Sequence, residues 1–128
     1  MTQQTVAILG ASADRAKFGN KSVRAHLKQG YQVYPVNPKG GEIEGLTVYR
    51  SLAEVPGGRI NRISVYVPPD VGMSLLQDIA WRGCDELFLN PGAESDELIA
   101  AAEAHGLNVV AACSIIDVGS RPSDFPDQ

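Results

Sequence analysis

The reading of the fold turns on Val6-Ala7-Ile8-Leu9-Gly10-Ala11-Ser12, the polar loop Ala13 to Phe18, and Gly19-Asn20-Lys21-Ser22 after it. Val6–Leu9 is an unbroken apolar run, the pattern of a strand buried on both faces of a parallel sheet. It enters a turn opened by glycine, and a helix follows in which Val23 and Leu27 share a face, four residues apart. Gly30 is a natural helix stop. A second strand, Tyr31–Val36, closes on Asn37-Pro38-Lys39. Strand, turn, helix and strand in this order make one α/β unit.

The same alternation continues outward. Residues 39–58 are broken by Gly40, Gly41, Gly45, Pro56, Gly57 and Gly58, with room for an extended piece at Leu46–Tyr49 and one helical turn at Ser51–Val55. Ile63–Val67 reads as a third strand, stopped by Pro68 and Pro69. A helix is predicted over Asp70–Arg82, with Leu75, Leu76, Ile79 and Ala80 on one face and Trp81 packed. Glu86–Leu89 is the fourth strand, Ser95 caps a helix with Asp96 and Glu97 in its first turn, and Asn108–Ala112 is the fifth strand. Right-handed crossovers between parallel strands then predict an α/β, Rossmann-like doubly wound sheet of about five parallel strands with helices on both faces. The expected organisation is one domain over residues 1–120 and a flexible tail over residues 121–128, rich in Pro, Ser and Asp.

Bulk properties narrow the function. A chain of 128 residues with 44% hydrophobic and 20% charged residues has the composition of a globular domain rather than of a disordered segment. A net charge of -4 argues against nucleic acid and anionic membrane as partners. No apolar run approaches the roughly 20 residues of a membrane helix, and the first residues lack the pattern of a signal peptide, so a cytoplasmic location is expected. Cys84 and Cys113 form no metal-spaced cluster, and both are expected to be reduced thiols.

Sheets of this kind bind ligands outside the carboxyl ends of their strands. At the first junction Gly10 lets a ligand approach backbone, Ser12 offers a hydroxyl, and the helix start after Gly19 offers free N–H groups to a phosphate. The dinucleotide fingerprint G-x-G-x-x-G and the Walker pattern are both absent. At the second junction an NAD-binding unit places an acid, whereas this chain has Asn37-Pro38-Lys39. A lysine there suits an extra phosphate on the ribose, as in coenzyme A or NADP.

The segments "VAILGASADRAKFGNKSV", "GYQVYPVNPK", "VYRSLAEVP", "SVYVPPDV", "RGCDELFLNPGAES" and "AEAHGLNVVAACS" resemble, in order and spacing, the Rossmann-type CoA-binding domain. That domain occurs in the alpha subunit of succinyl-CoA synthetase, in ADP-forming acyl-CoA synthetases and as short stand-alone proteins. The resemblance runs to Ser114. It implies coenzyme A or an acyl-CoA as ligand, with Gly10, Ala11, Ser12, Lys17 and Gly19 at the diphosphate. It implies Asn37, Pro38 and Lys39 at the adenosine and 3′-phosphate, and Val67, Pro68 and Pro69 beside adenine and pantetheine. Asn90 and Gly92 then lie at the turn nearest the thiol. Leu89-Asn90-Pro91-Gly92 departs from the aromatic-Gln turn of many stand-alone members and follows a Pro-Gly subgroup. The synthetases also carry a phosphorylated histidine in a second domain and an ATP-grasp region. Neither pattern is expected within these residues.

The expectation is therefore binding of CoA without catalysis and without a metal. The alternatives are a detached component of an acyl-CoA synthetase working with a separate protein partner, an NADP-binding oxidoreductase, and a nucleotide-free interaction module. His26 is expected to be solvated in mid-helix and His105 to cap a helix end. Asp14, Asp70 and Glu94 are the acids near the expected cleft, of which Asp70 and Glu94 are expected to cap or face water, and Asp117 has no assignable place. Cys113 is expected at the binding edge and Cys84 at the opposite end of the sheet.

Overall fold

The computed structural model describes residues 3–128. Its frame is a five-stranded, wholly parallel sheet of β1 (Thr5–Leu9), β2 (Gln32–Val36), β5 (Ile60–Val65), β6 (Cys84–Leu89) and β7 (Val109–Val110), in the order β2-β1-β5-β6-β7. The expected Rossmann-like α/β sheet is the one observed. The third strand starts and stops earlier than the sequence suggests, and the fifth is shorter. The apolar Tyr66-Val67 pair leaves the ladder and lies at the strand's carboxyl end.

Alternation along β1 sorts the core. Ala7 and Leu9 face a large cluster with Leu76 and Ile79 of α2 (Pro69–Arg82) and Leu98 and Ala102 of α3 (Asp96–Ala104). Val6 and Ile8 face the other way, toward Val23 of α1 (Phe18–Lys28). The four side chains of this run are at most 2% exposed, which is why it carries no polar residue. In α2 the buried stripe is Gly72, Leu76 and Ile79. Trp81 falls on the opposite side and is 82% exposed, so the expectation that it packs is wrong. Pro69 starts that helix at a position where its missing N–H costs nothing.

Residues 39–58 hold more structure than expected. Strands β3 (Glu42–Ile43) and β4 (Leu46–Thr47) form an antiparallel hairpin turned by Glu44 and Gly45, both at positive φ. Tyr49 then rejoins the end of β2: its N–H donates to Pro35 O, and Asn37 N–H donates to Tyr49 O. The helical turn expected at Ser51–Val55 is a short 3-10 turn, Leu52–Glu54.

The C-terminal residues differ from the loose tail predicted. Pro122–Asp124 is a 3-10 turn, and Phe125 is 8% exposed against Ala25 and Ile115 of α4 (Ser114–Asp117). Burying that ring contributes about 2 kcal/mol. Lys21 Nζ meets Asp127 at 2.6 Å, and Arg24 donates to Pro126 O at 2.9 Å. Lys21 is therefore occupied by the tail and turned from the first junction. Among the described residues, no helix is long and apolar enough to cross a membrane.

Candidate functional site

The strand order reverses between β1 and β5, so the crevice lies where Gly10 meets Tyr66 and Val67. Gly10 has φ +88°, and a Cβ there would stand 3.0 Å from Val67 Cγ1. Glycine is required by conformation and crowding together. The amides of Gly10 and Ala11 both donate to Val36 O, and Asn37 Nδ2 donates to Ala11 O at 2.8 Å. The first and second junctions are thus one bonded unit. Gly19 is a packing glycine: a Cβ on it would collide with the Gly10 carbonyl oxygen.

A depression of about 510 Å³ gathers Gly10, Ala11, Ser12, Lys17, Gly19, Asn37, Lys39, Val67 and Pro68 from the predicted set. Ala16, Phe18, Tyr66 and Pro91 complete its walls. Ser12 Oγ accepts from Asp14 N–H, which leaves its hydroxyl proton free to donate. Lys17, just ahead of α1, and Lys39 are exposed and make no side-chain hydrogen bond or ion pair among the described residues. Two positive charges without protein partners thus border one hollow that includes a helix start.

Beside it lies a smaller, mostly apolar cavity of about 200 Å³ between β2 and α2. Leu9, Val36, Leu52, Val67, Val71 and Leu75 wall it, with Pro38, Arg50, Ser51 and Asp78 around them. Gly10, Asn37 and Val67 belong to both hollows. Arg50 lies over the Asn37–Gly40 turn: a Cβ on Gly40 would sit 3.1 Å from its Nε. Sequence reading misses Arg50, because only the pairing of Tyr49 with β2 brings it there. It misses Asp78 as well, although Val71, Leu75 and Asp78, spaced four and three apart, were legible as a second stripe of α2.

Three predicted positions stand apart. Pro69 serves the start of α2. Gly92 is exposed, with its N–H donating to Glu94 Oε2 at 3.0 Å, and lines neither hollow. Asn90 is 1% exposed and turned inward. Its Nδ2 donates to Ser64 Oγ at 2.8 Å and to Val65 O at 2.9 Å, and its Oδ1 accepts from Ser114 N–H at 2.8 Å. Both Nδ2 protons are spent on these bonds, and the side chain is shut off from solvent. Ser114 Oγ continues this network to Ser64 Oγ at 2.8 Å and to the Tyr66 hydroxyl at 3.0 Å. Burial pushes the Tyr66 phenol above its usual range.

His26, Asp117 and Cys84 line neither hollow. His26, expected to be solvated, is 0% exposed. Its Nδ1 bonds Ser22 O at 2.8 Å, and its Nε2 is 3.4 Å from Arg62 Nη1. Burial pushes its pKa down to about 4, and the Arg62 charge pushes the same way. Asp117, unplaced from sequence, holds Arg62 Nη2 at 2.6 Å, and Glu86 holds it at 3.2 Å. Cys84 opens β6, at the end of the sheet away from the crevice, and burial raises its thiol to about 11. Cys113 is half-buried, just before α4 and beside the Asn90–Ser114 bond. A shallow depression of about 550 Å³ at the opposite end, lined by Gln4, Tyr31 and Asp117, carries none of the predicted residues.

Comparison with known proteins agrees with the architecture. Residues 4–119 match the family described as CoA binding domain. The alpha subunit of an ADP-forming acetate–CoA ligase I from Pyrococcus furiosus is 34% identical over 86 residues, which are 62% of this chain and 18% of that protein. The alpha subunit of ligase II from the same organism is 28% identical over 117 residues, 82% of this chain and 25% of that protein. The chain thus spans a quarter or less of these curated relatives. Among solved structures, a conserved hypothetical protein from Pyrococcus furiosus superposes with a TM-score of 0.77 at 33% identity, covering 91% of this chain and 99% of that one. A Thermus thermophilus protein gives a TM-score of 0.82 at 29% identity, covering 90% and 87%. On the match across residues 4–119, with the five-stranded parallel sheet that carries it, the chain belongs to the CoA binding domain family.

Proposed function

We propose that this protein binds coenzyme A or an acyl-CoA across the carboxyl ends of β1, β2 and β5. The observation that carries the reading is the pair of adjoining hollows. One is apolar and sized for a flat ring, the other borders two partnerless lysines, and Gly10, Asn37 and Val67 are common to both. CoA has the matching polarity, with an aromatic base at one end and a 3′-phosphate and a diphosphate next to it. In this reading the base enters the apolar cavity, Lys39 meets the 3′-phosphate, and Lys17, Ser12 and the start of α1 meet the diphosphate. Pro68 and Pro91 border the path of the pantetheine arm. The chain binds and presents the ligand in the cytoplasm and leaves chemistry to others.

Titration calorimetry with CoA and with dephospho-CoA tests this. A charge-assisted contact to the 3′-phosphate is worth about 1.5–3 kcal/mol, hence about tenfold or more in favour of CoA. Equal affinities would remove Lys39 from the site, and no binding of either would end the proposal.

One observation favours a second layer. The curated relatives align with this chain over a quarter or less of their length, and two of them are alpha subunits of acetate–CoA ligases. We infer that the domain acts together with a protein partner, as a component of an acyl-CoA synthetase. Nucleotide-dependent formation of a CoA thioester, appearing only when a candidate partner is added, would show it. None of the relatives described above is named as an oxidoreductase, so nothing in them supports the NADP alternative.

A further inference from the structure

We propose that Asp78 reads the exocyclic amine of the bound base, so that the site selects an aminopurine over its deaminated form. This rests on the CoA reading above and adds a specificity residue to it. Helix α2 carries two stripes. Gly72, Leu76 and Ile79 are spent on the core. Val71, Leu75 and Asp78 form the other stripe and line the 200 Å³ cavity. Val71 is 39% exposed, so this stripe is uncovered in the protein alone. Two of its residues extend the apolar wall, and the third breaks it with a carboxylate.

That carboxylate is uncommitted. Among the described residues Asp78 takes part in no ion pair within 4.0 Å and in no side-chain hydrogen bond, although Arg50 lines the same cavity. Three acids elsewhere that face a cation are engaged with it: Glu44 with Arg15, Asp85 with Arg59, Asp117 with Arg62. A cavity with apolar walls and a few polar groups orients its ligand through those groups. A flat base between Val67 and the α2 stripe lets the Arg50 guanidinium lie against its face and brings its edge to Asp78. A carboxylate only accepts hydrogen bonds. An amine on the base supplies the donor. A carbonyl in its place sets two acceptors against each other, and a site built to bond a donor rejects the analogue lacking it.

The test is titration of the full chain with CoA and with deaminated CoA, which carries hypoxanthine, for the wild type and for Asp78→Asn. The wild type should favour CoA by about tenfold or more, the effect of a hydrogen bond to a charged group. An amide offers both an oxygen and an N–H, so Asp78→Asn should hold CoA nearly as well and bring the two ligands within about threefold. Circular dichroism confirms that this exposed substitution leaves the fold intact. Equal affinities in the wild type, or an unchanged ratio in Asp78→Asn, would overturn the assignment while the CoA reading stands. If the wild type binds neither ligand, the CoA reading falls and this inference goes with it.

Discussion

Two polar regions of this molecule behave in opposite ways. On the α1 and α4 side of the sheet, Asn90, Ser64, Ser114 and Tyr66 bond one another, and Arg62 is held by Asp117, Glu86 and His26. The Arg62 guanidinium also lies 4.2 Å from the centre of the Phe88 ring. At the carboxyl-end rim, Lys17, Lys39, Arg50 and Asp78 line hollows and bond no side chain of the described residues. A buried polar group must be satisfied inside the fold, because leaving it unpaired costs about 1–3 kcal/mol. A charged group beside a hollow has no such obligation, and it is there that an incoming molecule finds its contacts. Saturation separates groups that hold the fold from groups that hold a ligand, even where the two kinds are close in sequence, as Asn90 is to Pro91.

Substitutions on the two sides should therefore have exchanged effects. The largest is expected at Asn90→Ala, which leaves Ser114 N–H buried without a partner and removes one of the two bonds of Ser64 Oγ. Urea unfolding should show a loss of about 3 kcal/mol. CoA affinity, measured where the variant is folded, should not change. A weakened affinity in a fully folded variant would return Asn90 to the ligand site and break the contrast.

The next effect is on pH. His26 is held neutral, with its pKa at about 4 against an ordinary 6.5. Its contribution is complete above about pH 6.5 and shrinks as pH falls, because the unfolded chain takes up the proton first. It is lost once the pH reaches the folded value near 4. Between pH 7 and pH 5 the protein should lose about 2 kcal/mol through this group. His26→Gln should flatten that slope in urea titrations at the two pH values. A slope unchanged in the variant would mean that other groups carry the acid sensitivity.

The smallest expected effect on stability sharpens the comparison from the other side. Lys39→Ala should move the unfolding midpoint by less than about 0.5 kcal/mol, as surface changes usually do. It should weaken CoA by about tenfold and leave dephospho-CoA unaffected. A variant that loses stability but keeps its affinity would place Lys39 with Asn90.

Much of the frame was legible because it depends on local patterns. The apolar run Val6–Leu9, the stops at Gly30 and Pro38, and the cap at Ser95 define elements without reference to neighbours. Ser95 Oγ does accept from Leu98 N–H at 3.0 Å. The clustering of Gly10, Ser12, Lys17, Asn37, Lys39 and Val67 follows from the rule that parallel strands present their carboxyl ends together.

What failed depended on neighbours from distant sequence. His26 sits on the side of α1 that meets Arg62 of β5 and the Tyr31 ring, and no helical period announces that these cover it. Trp81 looked like core by composition, but its angle on α2 points it to water. The last residues looked loose by composition, yet Phe125 finds Ala25 and Ile115. For Asn90, put at the ligand turn by the family resemblance, the bonds to Ser64, Val65 and Ser114 come from distant sequence and were not legible. The sequence by itself determined the order of strands and helices and the chemistry at each strand end, because period, glycine, proline and charge act within a few residues. Only the tertiary structure decided which polar groups are saturated and which remain free, because a hydrogen-bond partner is chosen by position in space. The pairing of Tyr49 with β2, which carries Arg50 to the cavity that Asp78 shares, is its clearest instance.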